Sequence, residues 1–183
     1  MAKKLTKVTT KTGDDGSTGM GDGSRVSKGN FIIQVIGELD ELNSWLGLIS
    51  SSKALKDYKS FLQNIQSLIF VISADLTTKS KTSFDKKHIE KLENETNKLN
   101  DNLPLLANFI LPGGSKESSC IHIARTVCRK VERSLVRVSE SEEIDSYLLI
   151  FINRLSDFLF TLARRINLDL GEKEFLWKKE WLG

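Results

Sequence analysis

Apolar residues recur at alternating steps of three and four in five separate stretches of this 183-residue chain, the spacing that places them on one face of an α-helix. Val35, Leu39, Leu42, Leu46 and Ile49 form the first stripe, and Leu55, Tyr58, Leu62, Ile65, Ile69, Ile72 and Leu76 the second. A sparser third holds Ile89, Leu92, Leu99 and Leu103. The strongest two are Ile121, Ala124, Cys128, Val131, Leu135 and Val138, then Ile144, Leu148, Phe151, Leu155, Phe158, Leu162 and Ile166. The only prolines, Pro104 and Pro112, bracket one short region, so long helices are permitted everywhere else. Polar breaks such as Lys79–Ser83 and Ser139–Glu142 suit tight connections between antiparallel neighbours. The pattern predicts helices over 31–50, 54–78, 85–101, 116–138 and 142–167. The expected fold class is therefore all-α, a five-helix up-and-down bundle, with no strand pattern of convincing length and no internal repeat.

One domain spanning 1–183 is expected, divided into an irregular loop (1–30), the bundle (31–167) and a tail (168–183). A chain of this length buries roughly 70% of its unfolded surface and needs no staples. Cys120 and Cys128 lie eight residues apart on one predicted helix, about 12 Å along its axis, too far to bond each other. They read as small core residues of a reducing compartment. The chain opens without the apolar run of a signal peptide, and no stretch approaches eighteen uninterrupted apolar residues. A cytoplasmic protein that does not enter a membrane is expected. With 27 basic and 24 acidic residues the net charge is +3, too balanced to imply a nucleic-acid surface.

Two regions fall outside the helical pattern. Residues 1–30 hold six of the twelve glycines and many hydroxyls, and a stretch this long without apolar period is usually functional or disordered. Within it, Thr9–Met20 offers glycines, hydroxyl donors and Lys11, groups that can wrap a polyphosphate, although the GxxxxGK[ST] spacing is absent. A solvated tail is the competing reading. The second region, Asn108–Ser115, joins the third and fourth helices and ends in a candidate helix cap.

Arg125, Arg129 and Arg133 recur every four residues beside the fourth stripe. Three guanidinium groups in line repel one another unless anions lie between them. A phosphate chain, acidic residues of a partner subunit, or plain solvent all fit this pattern. Asp40 flanks the first stripe, while Asn153 and Asp157 form an i,i+4 pair on the fifth helix; each reads as site residue or packing support. The two histidines, His88 and His122, lack ExxH spacing, so a di-iron carboxylate centre is not expected. There is no CxxC and no Ser/His/Asp arrangement, and no metal ligand set can be named. An enzyme with this inventory would need little proton transfer from its side chains.

Four blocks, in order, resemble the PduO-type ATP:cob(I)alamin adenosyltransferases. They are Thr10–Thr18 (TKTGDDGST); Arg25–Lys28 (RVSK) with Gly37–Asn43 (GELDELN); Phe109–Gly114 (FILPGG) leading to His122–Arg133 (HIARTVCRKVER); and Asn153–Phe160 (NRLSDFLF). The resemblance implies a ferritin-like bundle forming a homotrimer, with sites at subunit interfaces. It implies ATP, Mg2+ and cobalamin as ligands, and a corrinoid reductase or acceptor enzyme as a further partner. By the same resemblance, ATP lies against Thr10, Lys11, Thr12, Gly13, Thr18, Gly19 and Lys28, and against Arg129, Lys130, Glu132, Arg133 and Asn153. Asp40 and Arg125 correspond to an ion pair across the interface, and Phe109 to an aromatic that displaces the lower axial ligand of the corrinoid. Arg129 joins these three as a catalytic candidate.

Three positions depart from that pattern. The family has arginine where this chain has Lys130, an acidic residue at Gln34, and aspartate at Gly29. Lysine at 130 weakens the case for a bidentate phosphate contact there. The implied reaction is in-line attack of Co(I) on the 5′ carbon of ATP, releasing triphosphate. Such chemistry asks the protein to position two substrates and neutralise a leaving group. A nucleotide-binding module without transfer, or a purely structural oligomer, are the alternatives. The aromatic tail Phe175–Leu182 could cover the corrinoid or seal the end of the bundle.

Overall fold

The structure, a computed structural model, describes residues 9–78 and 84–179. The polar break at Lys79–Ser83, the first eight residues and the tail beyond Lys179, with Trp181 and Leu182, lie outside the described residues. The chain runs through β1 (Ser17–Gly19), β2 (Arg25–Ser27), α1 (Phe31–Ser50), a 3₁₀ turn (Lys53–Leu55), α2 (Lys59–Thr78), α3 (Lys86–Asn100), α4 (Lys116–Ser139) and α5 (Ser146–Asp169). The helices are neighbours in the order α2, α1, α4, α5, α3.

Each stripe faces inward. Leu39, Leu42, Leu46, Leu62, Ile72, Ile121, Leu135, Leu155 and Leu162 are fully buried, and emptying any one of them to alanine costs roughly 2–5 kcal/mol. By length and composition α5 could span a bilayer, but most of its apolar residues belong to the bundle core, where Phe158 packs against Phe61 with ring centres 5.2 Å apart.

Side chains set the helix starts. Asn30 caps α1 by accepting from the Ile32 amide, 2.8 Å. Asp85 caps α3 in a capping box with His88, and Ser115 caps α4 through the Ser118 amide, 3.0 Å. Two starts fall later than the apolar period suggests. Asp145 accepts from the Tyr147 amide at 2.9 Å and begins α5 at Ser146 rather than 142. Ser52 caps a separate 3₁₀ turn that buries Leu55, so α2 proper begins at Lys59.

The N-terminal segment is more ordered than its composition suggests. Ser17–Gly19 pairs antiparallel with Arg25–Ser27. Two identical tripeptides, Asp15-Gly-Ser17 and Asp22-Gly-Ser24, bound this hairpin. In each, the aspartate Oδ1 accepts from both the serine amide (2.9 and 2.8 Å) and its hydroxyl (2.8 and 2.6 Å). The intervening glycines have φ of +82° and +87°, which a side chain would strain. Strands of three residues are too short to show alternation, and only the repeated turn chemistry marks them.

Candidate active site

Two of the clefts along α4 hold residues of the arginine series. At its N-terminal half, Arg125 and Phe160 line a cleft of about 510 Å³ with Leu106–Ile110, so Phe109 and Arg125 share one cavity. Phe109 is 80% exposed there. The Arg125 guanidinium lies 5.9 Å from the Phe160 ring centre, and its Nε is buried without a hydrogen-bond partner. Burial, then the neighbouring Arg129, holds the Arg125 pKa below its ordinary value. Such a cation needs an anion from elsewhere. Asp40 is exposed on α1 and makes no ion pair among the described residues, so one chain does not bring the two together.

The second cleft, about 300 Å³, is lined by Phe31, Gln34, Glu38, Lys130, Arg133, Ser134 and Arg137. From Arg125 to Arg133 is about 12 Å along the helix, with Arg129 between the clefts. Arg133 donates to the Arg129 carbonyl at 3.0 Å, and Lys130 pairs with Glu41 of α1. Glu132 accepts from Asn153 at 2.7 Å, and Asn153 accepts in turn from Arg154 at 2.8 Å. Gln34 donates to Glu38 Oε1 at 2.9 Å, while Glu38 Oε2 is buried without a partner. A carboxylate therefore lines this cleft one turn after Gln34.

The N-terminal residues are placed by the hairpin. Lys28 Nζ donates to the Gly13 carbonyl at 2.7 Å, Arg25 to the Thr12 carbonyl at 2.5 Å, and Thr10 and Thr12 hydroxyls lie 3.0 Å apart. Lys11 has φ +60°, Thr18 pairs with Val26 and Gly19 with Arg25. Hydrogen bonds from Ser17, backbone and then hydroxyl, hold Asp15 below the usual carboxylate range. These contacts close within the segment and do not reach Arg129 or Arg133. The hairpin leads through Asn30 into α1, whose first residue, Phe31, lines the second cleft and stacks under Arg137 at 3.9 Å.

The Phe109 loop is held from α5 and from the tail. Asn167 Oδ1 accepts from the Ser115 amide and hydroxyl, 2.9 and 3.0 Å, and its Nδ2 donates to the Gly113 carbonyl, 3.0 Å. Gly114, at φ +95°, lies so close that a Cβ would come within 2.4 Å of Asn167. The Leu111 amide donates to the Phe175 carbonyl and the Trp177 amide to the Phe109 carbonyl, both at 2.7 Å. The described part of the tail thus meets the loop in one isolated antiparallel bridge, Ile110 with Leu176.

His122 sits behind Arg125, 3% exposed, with Nδ1 unpartnered and its ring 6.2 Å from Phe160. Burial, then the charge of Arg125, pushes its pKa down to about 4, against a small opposing pull from Glu174. Between pH 6.5 and 4 the unfolded chain binds a proton that the folded one refuses. Stability is complete above 6.5 and falls as pH drops towards 4. Unfolding free energies from urea titrations of wild type should therefore fall by on the order of 2 kcal/mol more over this range than those of His122→Gln. Parallel slopes would show that His122 is not held neutral. Cys128 is inert for a related reason: burial pushes its thiol pKa up, and its Sγ lies 3.2 Å from the Ile152 carbonyl.

The family model described as cobalamin adenosyltransferase matches residues 8–166. The chain belongs to the cobalamin adenosyltransferase family. It is 41% identical over 181 residues to the cobalamin adenosyltransferase of Cupriavidus metallidurans, covering 98% of each chain. It is 38% identical to the corrinoid adenosyltransferase of Bacillus subtilis, covering 90% of this chain and 89% of that one. Among solved structures, a phenylalanine-to-histidine variant of the PduO-type ATP:corrinoid adenosyltransferase of Lactobacillus reuteri, complexed with cobalamin and ATP, superposes with a TM-score of 0.90. That protein is 33% identical, with 94% of this chain and 97% of that chain covered. The all-α reading of the sequence and the family resemblance both stand, and with them the assignment as a transferase.

Several cleft residues of this family member escape the sequence patterns. Arg137 extends the every-four series 125, 129, 133 by one more turn and was readable as such. Glu38, Glu41, His122 and Phe160 fall inside the four resembling blocks but carry no periodicity that assigns them a role, and Asn167 lies outside them, because their contacts depend on which helices become neighbours. Among the described residues no group of three or more His, Cys, Asp or Glu side chains is placed to hold a metal ion.

Proposed function

We propose that the chain transfers the 5′-deoxyadenosyl group of ATP to the cobalt of cob(I)alamin in a site completed by a second subunit of a cytoplasmic homotrimer. The observation that carries this reading is the pairing, on one helix, of an apolar cleft holding Phe109 and Arg125 with a basic cleft holding Lys130 and Arg133. The first suits the face of a corrinoid, the second a triphosphate. Their separation of about 12 Å allows one substrate to reach the other across Arg129.

In the reaction, the Co(I) electron pair attacks the 5′ carbon, a Co–C bond forms, the C–O bond breaks, and its electrons leave with triphosphate. No side chain must accept or give a proton. Arg129, Arg133 and Lys130 offset the charge of the leaving group, with Lys130 exchanging Glu41 for phosphate. Asn153, fixed by Glu132, orients the nucleotide, and the hairpin amides and hydroxyls of Thr10–Gly19, with Lys28, close over the phosphates. Glu38, whose buried Oε2 lacks a partner, fits a Mg2+ ion carried on the phosphates, which take few protein carboxylates; the ion would supply further charge neutralisation.

The exposed apolar side chain of Val136, on the same side of α4 as the unpaired Arg125, supports a partner subunit on this face. Asp40 of that partner is the proposed anion. The test is anaerobic incubation of the protein with chemically reduced cobalamin and MgATP. The absorbance change of Co–C bond formation is expected, and its absence under strictly reducing conditions would leave the family's fold without its reaction.

A further inference from the structure

We infer that Arg164 and Glu174 are positioning residues for the corrinoid half of the reaction, locking the C-terminal tail onto the Phe109 loop; this rests on the reading of the Phe109 cleft as the corrinoid site. The loop between α3 and α4 has anchors at both ends. Asn167 holds Gly113–Ser115, and Arg164, three residues earlier on the same face of α5, donates from Nη2 to the Pro104 carbonyl at 2.8 Å. Between them the chain is outward-facing, Leu105 being 99% exposed. What steadies residues 108–111 is the tail: the two backbone bonds to Phe175 and Trp177, and the Asn108 Nδ2 bond to the Trp177 carbonyl at 2.8 Å.

The tail in turn depends on Arg164. Glu174 receives both prongs of the guanidinium, Nε to Oε1 at 2.9 Å and Nη2 to Oε2 at 3.1 Å. The arginine side chain is 4% exposed and that of Glu174 21%. A bidentate pair fixes direction as well as distance. A buried guanidinium is also strongly disfavoured without its carboxylate. One side chain therefore ties loop start, tail and α5 together, immediately before the residues that pair with Phe109 and Leu111. Without the pair, residues 105–112 would be held at their ends alone, and Phe109 would lose a fixed direction over the cleft. Neither residue touches the basic cleft.

Substitution in the full-length protein tests this, with Glu174 changed rather than the more buried Arg164. Glu174→Gln should raise KM for the corrinoid about tenfold, with KM for MgATP unchanged, because small misplacements of a positioning group are costly. The Leu111 and Trp177 amides should exchange faster while α4 core amides keep their protection. Glu174→Asp, which keeps the charge, should recover part of both. Unaltered corrinoid KM and unaltered exchange at these two amides would overturn the inference, as would an equal rise in KM for MgATP. Failure of wild-type protein to form adenosylcobalamin would instead sink the corrinoid reading, and the exchange rates would still decide whether the clamp exists.

Discussion

Asp40→Asn and Arg125→Ala are each expected to lower turnover by on the order of 10²–10³-fold, and the charge-swapped double variant to recover part of the loss. Arg125 is half-buried with an orphaned Nε, and Asp40 projects from α1 with no ion pair among the described residues. On the proposed interface the two meet between subunits. Removing one member of a partly desolvated pair leaves the other uncompensated, at about 3–5 kcal/mol, which is the size of the expected rate loss. Because Arg125 lines the same cleft as Phe109, its displacement should disturb the proposed corrinoid site directly. Initial rates for wild type, both single variants and the double variant form the cycle. Strictly additive losses would place the subunit boundary elsewhere.

Phe109→Ala should lower kcat about 100-fold and leave the Kd for MgATP within about twofold, the pattern of a group that acts on only one substrate. The ring is 80% exposed at the mouth of a cleft, where nothing in the fold requires it. Its loss should therefore leave the thermal midpoint nearly unchanged. The loop beneath it remains fixed by Asn167 and the tail, so the effect belongs to the ring. Isothermal titration with MgATP alongside single-turnover rates separates the two quantities. An equal loss of ATP affinity would move Phe109 out of the corrinoid cleft.

These expectations show which parts of the molecule were legible in the sequence. The helices were, because stripes such as Leu39–Leu46 and Phe151–Leu162 bury residues at the helical period and nothing else satisfies that spacing. Their starts were less so. Asp145 and Ser52 override the apolar period by capping the backbone after it has already begun. The hairpin at Ser17–Ser27 was hidden for a different reason: its order comes from two aspartate–serine turns and left-handed glycines, which leave no periodicity. Lys130 shows a further limit. Its weaker phosphate chemistry was readable from its type, but its engagement with Glu41 required α1 and α4 to be neighbours. Likewise Glu38, a member of the Gly37–Asn43 block, lines the same cleft as Gln34 and Lys130, a placement that the sequence does not reveal before α1 and α4 pack together. The tail was read as either covering the corrinoid or sealing the bundle. Its described part pairs with the Phe109 loop, a contact that depends on the loop and the tail meeting in space.

On the proposed function, one helix presents a corrinoid and a triphosphate to each other so that attack falls on the 5′ carbon of ATP. Quantifying the phosphate product of a single anaerobic turnover tests it most directly, since bond cleavage at carbon leaves all three phosphates joined. One triphosphate per adenosylcobalamin formed is the predicted result; release of ADP and inorganic phosphate, with cobalamin unalkylated, would contradict it.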